Sequence, residues 1–238
     1  IWLVFNGEIY NYRSIRCELK QKGHIFRSTS DSEAIVHAYE QWGIECVSRL
    51  KGIFAFAIWD SARRQLFVAR DRLGVKPLYL AEQDEVLWFA STPRAIVEDT
   101  QFRRMIDPMA LDSFLTYGFV PFDQAIFSDM NKLPAAHHAV VRGDHWSRTR
   151  YWQPPYKQSI ERLDEAQATI REQVIRSVES QLVSDVPIST FLSGGLDSSL
   201  VTSIASTKSP NARHAFTVGF QELERDERHY ARLAAAAA

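Results

Sequence analysis

The stretch Ser193-Gly194-Gly195-Leu196-Asp197-Ser198-Ser199 sits between an apolar run, residues 188–192, and a helix-like run, residues 199–206, with a second apolar run at 215–220. A strand, a glycine loop, a helix and a second strand in that order predict a βαβ unit, because parallel neighbours need a crossover and a helix supplies it. Two adjacent glycines let the backbone approach an anion closely. The hydroxyls and free amides at the helix start donate hydrogen bonds, and the helix dipole favours negative charge. Phosphate is the expected occupant. The loop has neither the GxxxxGK[ST] nor the GxGxxG spacing. Asp197 suits Mg²⁺ that bridges to phosphate oxygens better than it suits phosphate itself. On the residues alone a second reading stays open, with Gly194-Gly195 as a tight turn and Asp197, Ser198 and Ser199 capping the helix.

The rest of the chain is of another kind. Residues 1–5 are apolar strand formers ending at Asn6-Gly7, which predicts a strand delivering a turn. Ser30-Asp31-Ser32-Glu33 has capping-box form and is followed by Ala34, Ile35, Ala38, Tyr39 and Trp42 at helical spacing, so a helix is expected from near Asp31. Strand-like runs at 53–60, 66–70, 78–81 and 86–91 predict an antiparallel meander with helices beside it, in an α+β layered domain. Asp107-Pro108 opens a helix to about Tyr117, with irregular chain beyond. Pro154-Pro155 marks the linker, between Trp146 and Ser159, and divides a domain at 1–152 from another at 157–238. Leu163, Ala166, Ile170, Val174, Val178 and Leu182 then predict a long amphipathic helix.

Bulk properties exclude several classes. With 28 Lys+Arg against 29 Asp+Glu the net charge is -1, which gives no electrostatic case for nucleic acid or an anionic membrane. No apolar stretch approaches the roughly 20 residues of a membrane span. Cys17 and Cys46 lack CxxC spacing, which fits a reducing, cytoplasmic setting, and both are read as packing residues. The chain opens in a strand-like run without methionine, and Ala234 to Ala238 are read as standing in for unassigned side chains. Both ends of the natural polypeptide are therefore expected to lie outside this sequence. Arg70-Asp71-Arg72 is read as a structural ion-pair network. His137-His138, adjacent on a strand, should point to opposite faces and share no metal. Trp59 and the phenylalanines at 54 and 56 are read as core. Asp226, Glu227, Arg228 and Tyr230 receive no function.

A second constellation is Asn6-Gly7-Glu8-Ile9-Tyr10-Asn11 with Ser30-Asp31-Ser32-Glu33. Asn6 offers an amide donor and Gly7 an open backbone N–H, the components of an oxyanion hole. Glu8 and Asp31 are carboxylates that suit a substrate ammonium, a metal or acid–base work. A hairpin turn at Asn6-Gly7 and a helix cap at Asp31 explain the same residues without a substrate.

These motifs carry a resemblance. The run from Leu3 to Asn11, Gly23-His24-Ile25-Phe26, Ser30-Asp31-Ser32-Glu33, Gly52 to Asp60 and Ala69 to Tyr79 closely resemble the class II glutaminase domain of bacterial, glutamine-hydrolysing asparagine synthetases. The Ser193 to Ser198 loop resembles the SGGxDS pyrophosphate loop of N-type ATP pyrophosphatases, and Phe216-Thr217-Val218-Gly219-Phe220 resembles that family's second strand, whose end meets adenine. The resemblance implies an N-terminal-nucleophile αββα sandwich followed by a partial α/β parallel-sheet ATP-pyrophosphatase domain. It implies an oxyanion hole at Asn6 and Gly7, and glutamine binding by those two with Glu8 and Asp31. It implies ATP binding by Leu192, Ser193, Gly194, Gly195, Leu196, Asp197, Ser198, Val218 and Gly219, with Mg²⁺ at Asp197.

Glutamine, aspartate and ATP are the implied small-molecule partners, and a homodimer is compatible with the family. The family's nucleophile, an N-terminal cysteine, and its upstream arginine do not occur here; an N-terminal stretch and most of the synthetase domain are expected to be absent. The implied activity is asparagine synthesis by adenylation of aspartate and amidation with ammonia from glutamine. The alternatives are a related amidotransferase or β-lactam-synthetase-like ligase acting on another carboxylate, whose glutamine pocket should be degenerate, and a catalytically inactive binding or assembly fragment.

Overall fold

In the first strand, β1 (Trp2–Ile9), side chains alternate: Leu3, Phe5 and Ile9 pack inward while Trp2, Val4, Asn6 and Glu8 are exposed. The computed structural model describes residues 1–156, 160–212, 214–222 and 226–238. It divides into two compact units, Ile1–Pro155 and Tyr156–Ala238. Part of the expected linker, residues 157–159, lies outside the described residues.

In the first unit β1 is followed by α1 (Tyr12–Gln21), α2 (Asp31–Trp42) and the short α3 (Cys46–Arg49). Then come β2 (Gly52–Asp60), β3 (Gln65–Arg70), β4 (Tyr79–Gln83), β5 (Val86–Ala90), α4 (Pro93–Val97) and α5 (Pro108–Tyr117). The unit closes with β6 (Met130–Lys132), β7 (His137–Arg142) and β8 (His145–Arg150). One sheet has the order β1-β2-β3-β7-β8 and the other β5-β4-β6, with antiparallel pairing throughout.

The core explains the layering. Phe54, Phe56, Ile58, Phe67 and Ala69 turn to one face of the larger sheet, where Ile15 and Leu19 of α1 and Ile35 and Tyr39 of α2 cover them. Ala55, Ala57, Val68 and Ala139 turn to the other face and meet Leu78, Leu80 and Leu133 from the smaller sheet. Ala81 and Met130 on that sheet's far face pack with Ile96 of α4 and with Phe102. The order is helix, sheet, sheet, helix. Bulky side chains face the helices and small ones face the second sheet, which is why β2 and β3 read as continuous apolar runs.

Four local expectations are corrected. Asn6-Gly7 is not a turn: β1 runs through it, paired with β2 from Trp2↔Trp59 to Ile9↔Gly52. A glycine at φ +150° lets the strand bend without ending. The four middle strands are not one meander but two hairpins in different sheets, because the 71–77 turn carries the chain from β3 to β4. Residues 145–150, partly assigned to the linker, form β8. Trp59 is 43% exposed at the β1–β2 edge and is not core, unlike Phe54 and Phe56.

Helix α5 has its expected caps: Asp107 accepts from the Met109 and Ala110 amides, and Gly118 ends the helix in the left-handed conformation. The second unit contains α6 (Leu163–Gln181), β9 (Ser189–Phe191), α7 (Leu196–Lys208), β10 (His214–Phe216) and α8 (Arg228–Ala237), with β9 and β10 parallel. The helix after the glycine loop starts at Leu196, earlier than expected, and β10 ends at Phe216, before residue 220. Thr217 ends it by donating its hydroxyl hydrogen to the Leu192 carbonyl at 2.6 Å. No helix among the described residues is long and apolar enough to cross a membrane.

Candidate functional site

Asn6 and Glu8 lie on the exposed face of β1, the edge strand of the larger sheet. Asn6 Nδ2 donates to Ser91 Oγ at 3.0 Å, just beyond β5 of the second sheet. A Cβ on Gly7 would stand 2.1 Å from the Ile53 carbonyl oxygen, and one on Gly52 would stand 2.0 Å from that of Glu8. The backbones of β1 and β2 therefore touch around Glu8 as only glycines allow. Asp31, the first residue of α2, accepts from the Ile9 amide at 3.0 Å. The fold thus brings the Asp31 carboxylate to the residue after Glu8. Beside them, burial first and the Glu8 charge second raise the Tyr10 phenol above its ordinary value.

The start of α2 differs from a full capping box. Ser30 Oγ accepts from the Ser32 amide at 3.1 Å. Glu33 does not reach back to the Ser30 amide; its carboxylate accepts from the Arg27 amide at 2.6 Å and from the Ser28 amide and hydroxyl at 2.7 and 2.6 Å. The Arg27 amide foremost, then the Ser28 hydroxyl, hold Glu33 at a pKa of about 2.

Arg70 and Asp71 are structural, but they bind backbone and not each other. Asp71, 1% exposed, accepts from the amides of Leu73 and Val75 through Oδ1, and of Lys76 and Phe54 through Oδ2, at 2.9–3.2 Å. Arg70 donates to the carbonyls of Lys76, Leu133 and Gly74 at 2.7–2.8 Å. Together they build the turn that joins the two sheets and fix the β2 segment opposite Gly7. Asn11, the last residue of the run from Asn6, bridges Arg49 O and Lys51 N with its side chain, whereas Ser91 supports Asn6 from 85 residues away, where no local spacing ties it to the site. His137 and His138 do diverge: His137 Nδ1 faces the Ala135 carbonyl, while His138 is buried between Phe67 and Tyr151.

Cys46 is fully buried and its thiol is pushed up to about 12 by that burial, as a packing residue should be. Cys17 is exposed on α1, which corrects its reading as packing. Its position, two residues past the buried Ile15 and two before Leu19, puts it off the helix's inner stripe.

In the second unit Ser193, Gly194 and Gly195 connect β9 to α7, and Leu196, Asp197 and Ser198 form the first turn of α7, where amides lack intrahelical partners. Ser198 Oγ lies 2.9 Å from Ser193 Oγ and accepts from the Ser193 amide at 3.3 Å, and Ser193 Oγ accepts from the Gly195 amide. Gly194, at φ +85°, faces α8: a Cβ there would be 2.4 Å from the Tyr230 carbonyl carbon. Gly195 meets nothing closer than Ser193 Oγ at 3.4 Å, so the open side of the loop is at Gly195 and the start of α7. Asp197 is exposed and lines, with Ser198, Thr190 and Phe191, a cavity of 560 Å³. Leu192 is buried beneath the loop; Val218 is exposed and Gly219 packs on the Arg228 side chain.

Residues 1–152 match the glutamine amidotransferase domain family, which is well over half of the sequence. The chain belongs to that family. Residues 169–238 match the asparagine synthase family. The two matches in this order agree with the resemblance to glutamine-hydrolysing asparagine synthetases. The chain is 37% identical over 232 residues to asparagine synthetase [glutamine-hydrolyzing] 3 of Bacillus subtilis, covering 94% of this chain and 37% of that protein. It is 35% identical to asparagine synthetase [glutamine-hydrolyzing] 1 of the same organism, covering 99% of this chain and 37% of that protein. A counterpart from Arabidopsis thaliana is 32% identical, with 92% and 34% covered. The chain therefore spans little more than a third of the length of these curated relatives. Among solved structures it aligns with glutamine phosphoribosylpyrophosphate amidotransferase from B. subtilis complexed with ADP and GMP, at 16% identity and a TM-score of 0.46, over 94% of this chain and 47% of that one. At that score the likeness fixes neither fold nor function.

Proposed function

We propose that the chain is part of a glutamine-dependent asparagine synthetase, with a glutaminase of N-terminal-nucleophile type in residues 1–152 and the opening of an ATP-pyrophosphatase domain in 157–238. The observation that carries this reading is the tandem match to the two families on a chain that keeps both chemical constellations. In the first, Asn6 Nδ2 retains a second hydrogen beside the one given to Ser91, and with the Gly7 amide it supplies oxyanion donors. Glu8 and the Asp31 oxygen not engaged by Ile9 bind the glutamine ammonium. The intact pocket favours glutamine as nitrogen source over a ligase that dispenses with it.

In the second, the amides at the start of α7 and the Ser193 and Ser198 hydroxyls hold the β,γ-phosphates of ATP, above the buried Leu192 and within reach of Gly194 and Leu196. Val218 and Gly219, just past β10, border the adenine. An exposed carboxylate on the rim of a cavity fits Mg²⁺, which takes one or two carboxylates and keeps several waters. Asp197 would hold it, and the ion would neutralise the pyrophosphate as it leaves. A cytoplasmic setting and a homodimeric assembly belong to the same reading.

The test is product analysis on the full-length protein with aspartate and Mg²⁺-ATP, supplying glutamine or ammonia. Asparagine and AMP from both nitrogen sources are expected. AMP release without aspartate, or none at all, overturns the choice of acceptor.

A further inference from the structure

His24, in the loop between α1 and α2, and His37 and Glu40 on α2 bring two imidazole nitrogens and a carboxylate oxygen to one spot. His37 and Glu40 share a helix face by their three-residue spacing. His24 Nδ1 is 3.2 Å from His37 Nδ1, His37 Nδ1 is 2.8 Å from Glu40 Oε2, and His24 Nδ1 is 3.7 Å from the same oxygen. Ligand atoms placed about 2.0–2.1 Å from a tetrahedral ion stand about 3.3–3.4 Å apart. The three edges straddle that spacing.

One hydrogen bond links two of the three groups: His37 Nδ1 donates to Glu40 Oε2, which only accepts. His24 Nε2 faces Gln41 Oε1 at 3.1 Å. An amide oxygen only accepts, so Nε2 carries the proton and Nδ1 of the neutral ring is left with its lone pair. His37 Nε2 lies 3.7 Å from Glu33 Oε1, beyond hydrogen-bond reach, with the carboxylate behind the ring. His24 thus turns a bare Nδ1 toward His37 Nδ1 and Glu40 Oε2, and the His37 Nδ1 proton lies among the three ligand atoms. A divalent cation takes the place of that proton and gives both imidazole lone pairs and the carboxylate one partner. An acceptor behind the distal nitrogen is also how proteins orient histidine ligands. The rings are preset: the His24 and His37 side chains are 16% and 17% exposed, and His37 packs on Phe26 with ring centroids 4.6 Å apart. Glu40, 41% exposed, opens the remaining coordination position to water.

We propose that His24, His37 and Glu40 form a site for a divalent transition cation, Zn²⁺ by its donor set, that clips the loop after α1 to α2. Two imidazoles with one carboxylate suit such an ion and discriminate against Mg²⁺ and Ca²⁺, which take oxygen ligands. Glu33 already ties the same loop to α2 through Arg27 and Ser28, and the ion is a second fastening further along the helix. The site is separate from the Asn6, Gly7, Glu8 and Asp31 constellation and does not depend on the function proposed for it.

The experiment is calorimetric titration of the intact, chelator-stripped protein with Zn²⁺, with Mg²⁺ as the control ion, together with thermal unfolding with and without Zn²⁺. One saturable Zn²⁺ site is expected, with a rise in the unfolding midpoint by mass action. His24→Gln, His37→Gln and Glu40→Gln should each weaken it by about tenfold or more and remove the rise in midpoint. Glu40→Gln, at the most exposed position, serves if a histidine variant fails to fold. Absence of saturable Zn²⁺ binding, or an affinity unchanged in Glu40→Gln and in any histidine variant that folds, overturns the proposal.

Discussion

The Ile9 amide donates to Asp31 Oδ2 at 3.0 Å, tying the last residue of β1 to the first residue of α2. The carboxylate therefore has two tasks, holding a helix start against a strand end and presenting charge beside Glu8. The tasks separate by substitution. Asp31→Asn keeps a carbonyl acceptor for Ile9 and should cost under about 1 kcal/mol of stability. Asp31→Ala loses the bond and the favourable charge in the first turn and should cost about 2 kcal/mol. Under the proposed function, both should raise the glutamine KM of the full-length protein by about tenfold or more, as the loss of a charged contact to an ammonium does. Urea unfolding and glutaminase kinetics read the two effects; an unchanged KM in Asp31→Asn would remove Asp31 from the glutamine pocket.

Gly7→Ala should be among the most damaging single-methyl additions in the first unit. The new Cβ would meet the Ile53 oxygen at 2.1 Å, a backbone atom that has no flexible way to withdraw, at a φ of +150°. The expected loss is about 3 kcal/mol, from strain plus displaced β1–β2 pairing. Gly23→Ala serves as the control, since it also has positive φ, +93°, but nothing stands within 4 Å of its Cβ. Chemical denaturation should rank Gly7→Ala well below Gly23→Ala, and equal midpoints would contradict the close approach.

Asp71 satisfies four backbone amides inside the turn between the sheets. Asp71→Asn replaces one acceptor oxygen with an amide nitrogen that faces N–H donors. The expected penalty is about 3 kcal/mol, or a midpoint lowered by roughly 10 °C for a protein of this size. A change below about 2 °C in thermal unfolding would mean that water replaces the carboxylate without loss.

Much of this was legible in sequence because the determining forces were local. Asp107-Pro108 and Gly118 bounded α5 through cap chemistry, and the three- to four-residue recurrence from Leu163 onward marked α6. The failures came where tertiary pairing overrode local preference. Asn6-Gly7 carries a turn dipeptide, yet eight consecutive β1–β2 partners hold it extended. Strands β3 and β4 look like neighbours until Asp71 and Arg70, spending their charge on backbone groups, rotate the chain into another sheet. In the candidate sites, Asn6, Glu8 and the Ser193 loop were visible as motifs. Ser91 and the approach of His24 to His37 were not, because both depend on contacts that only folding creates. The one local hint for the latter was the spacing of His37 and Glu40 on a single helix face.

Stability in acid should depend on Glu33. Its carboxyl sits at about 2, first through the Arg27 amide and then the Ser28 hydroxyl, against an ordinary value of 4.5. A depressed folded-state value means that the contribution is complete above about pH 4.5 and is lost as pH falls toward about 2. Asp60, held at about 2 foremost by Arg63, adds to the same acid loss from a start near 3.8. Glu33→Gln should therefore flatten the decline of the urea midpoint across that acid window and leave its slope near neutrality unchanged. An identical acid slope in wild type and variant would show that the loop amides do not favour the charged form.

Asp197 and Ser198 make separable demands on the second unit. Ser198 Oγ accepts from the Ser193 amide, pairs with the Ser193 hydroxyl and donates to the Gly195 carbonyl at 3.3 Å, so it shapes the loop. Asp197 is exposed on the cavity rim. Under the proposed function, Ser198→Ala should lower AMP formation at every Mg²⁺ concentration, because loop shape does not depend on the ion. Asp197→Asn should lower it by about a hundredfold, in keeping with several kcal/mol of lost charge stabilisation, and raised Mg²⁺ should recover part of the loss. Steady-state AMP release against Mg²⁺ concentration separates them. If Asp197→Asn showed no altered Mg²⁺ dependence, the carboxylate would be a helix-start residue, stabilised by the α7 dipole and not by a metal.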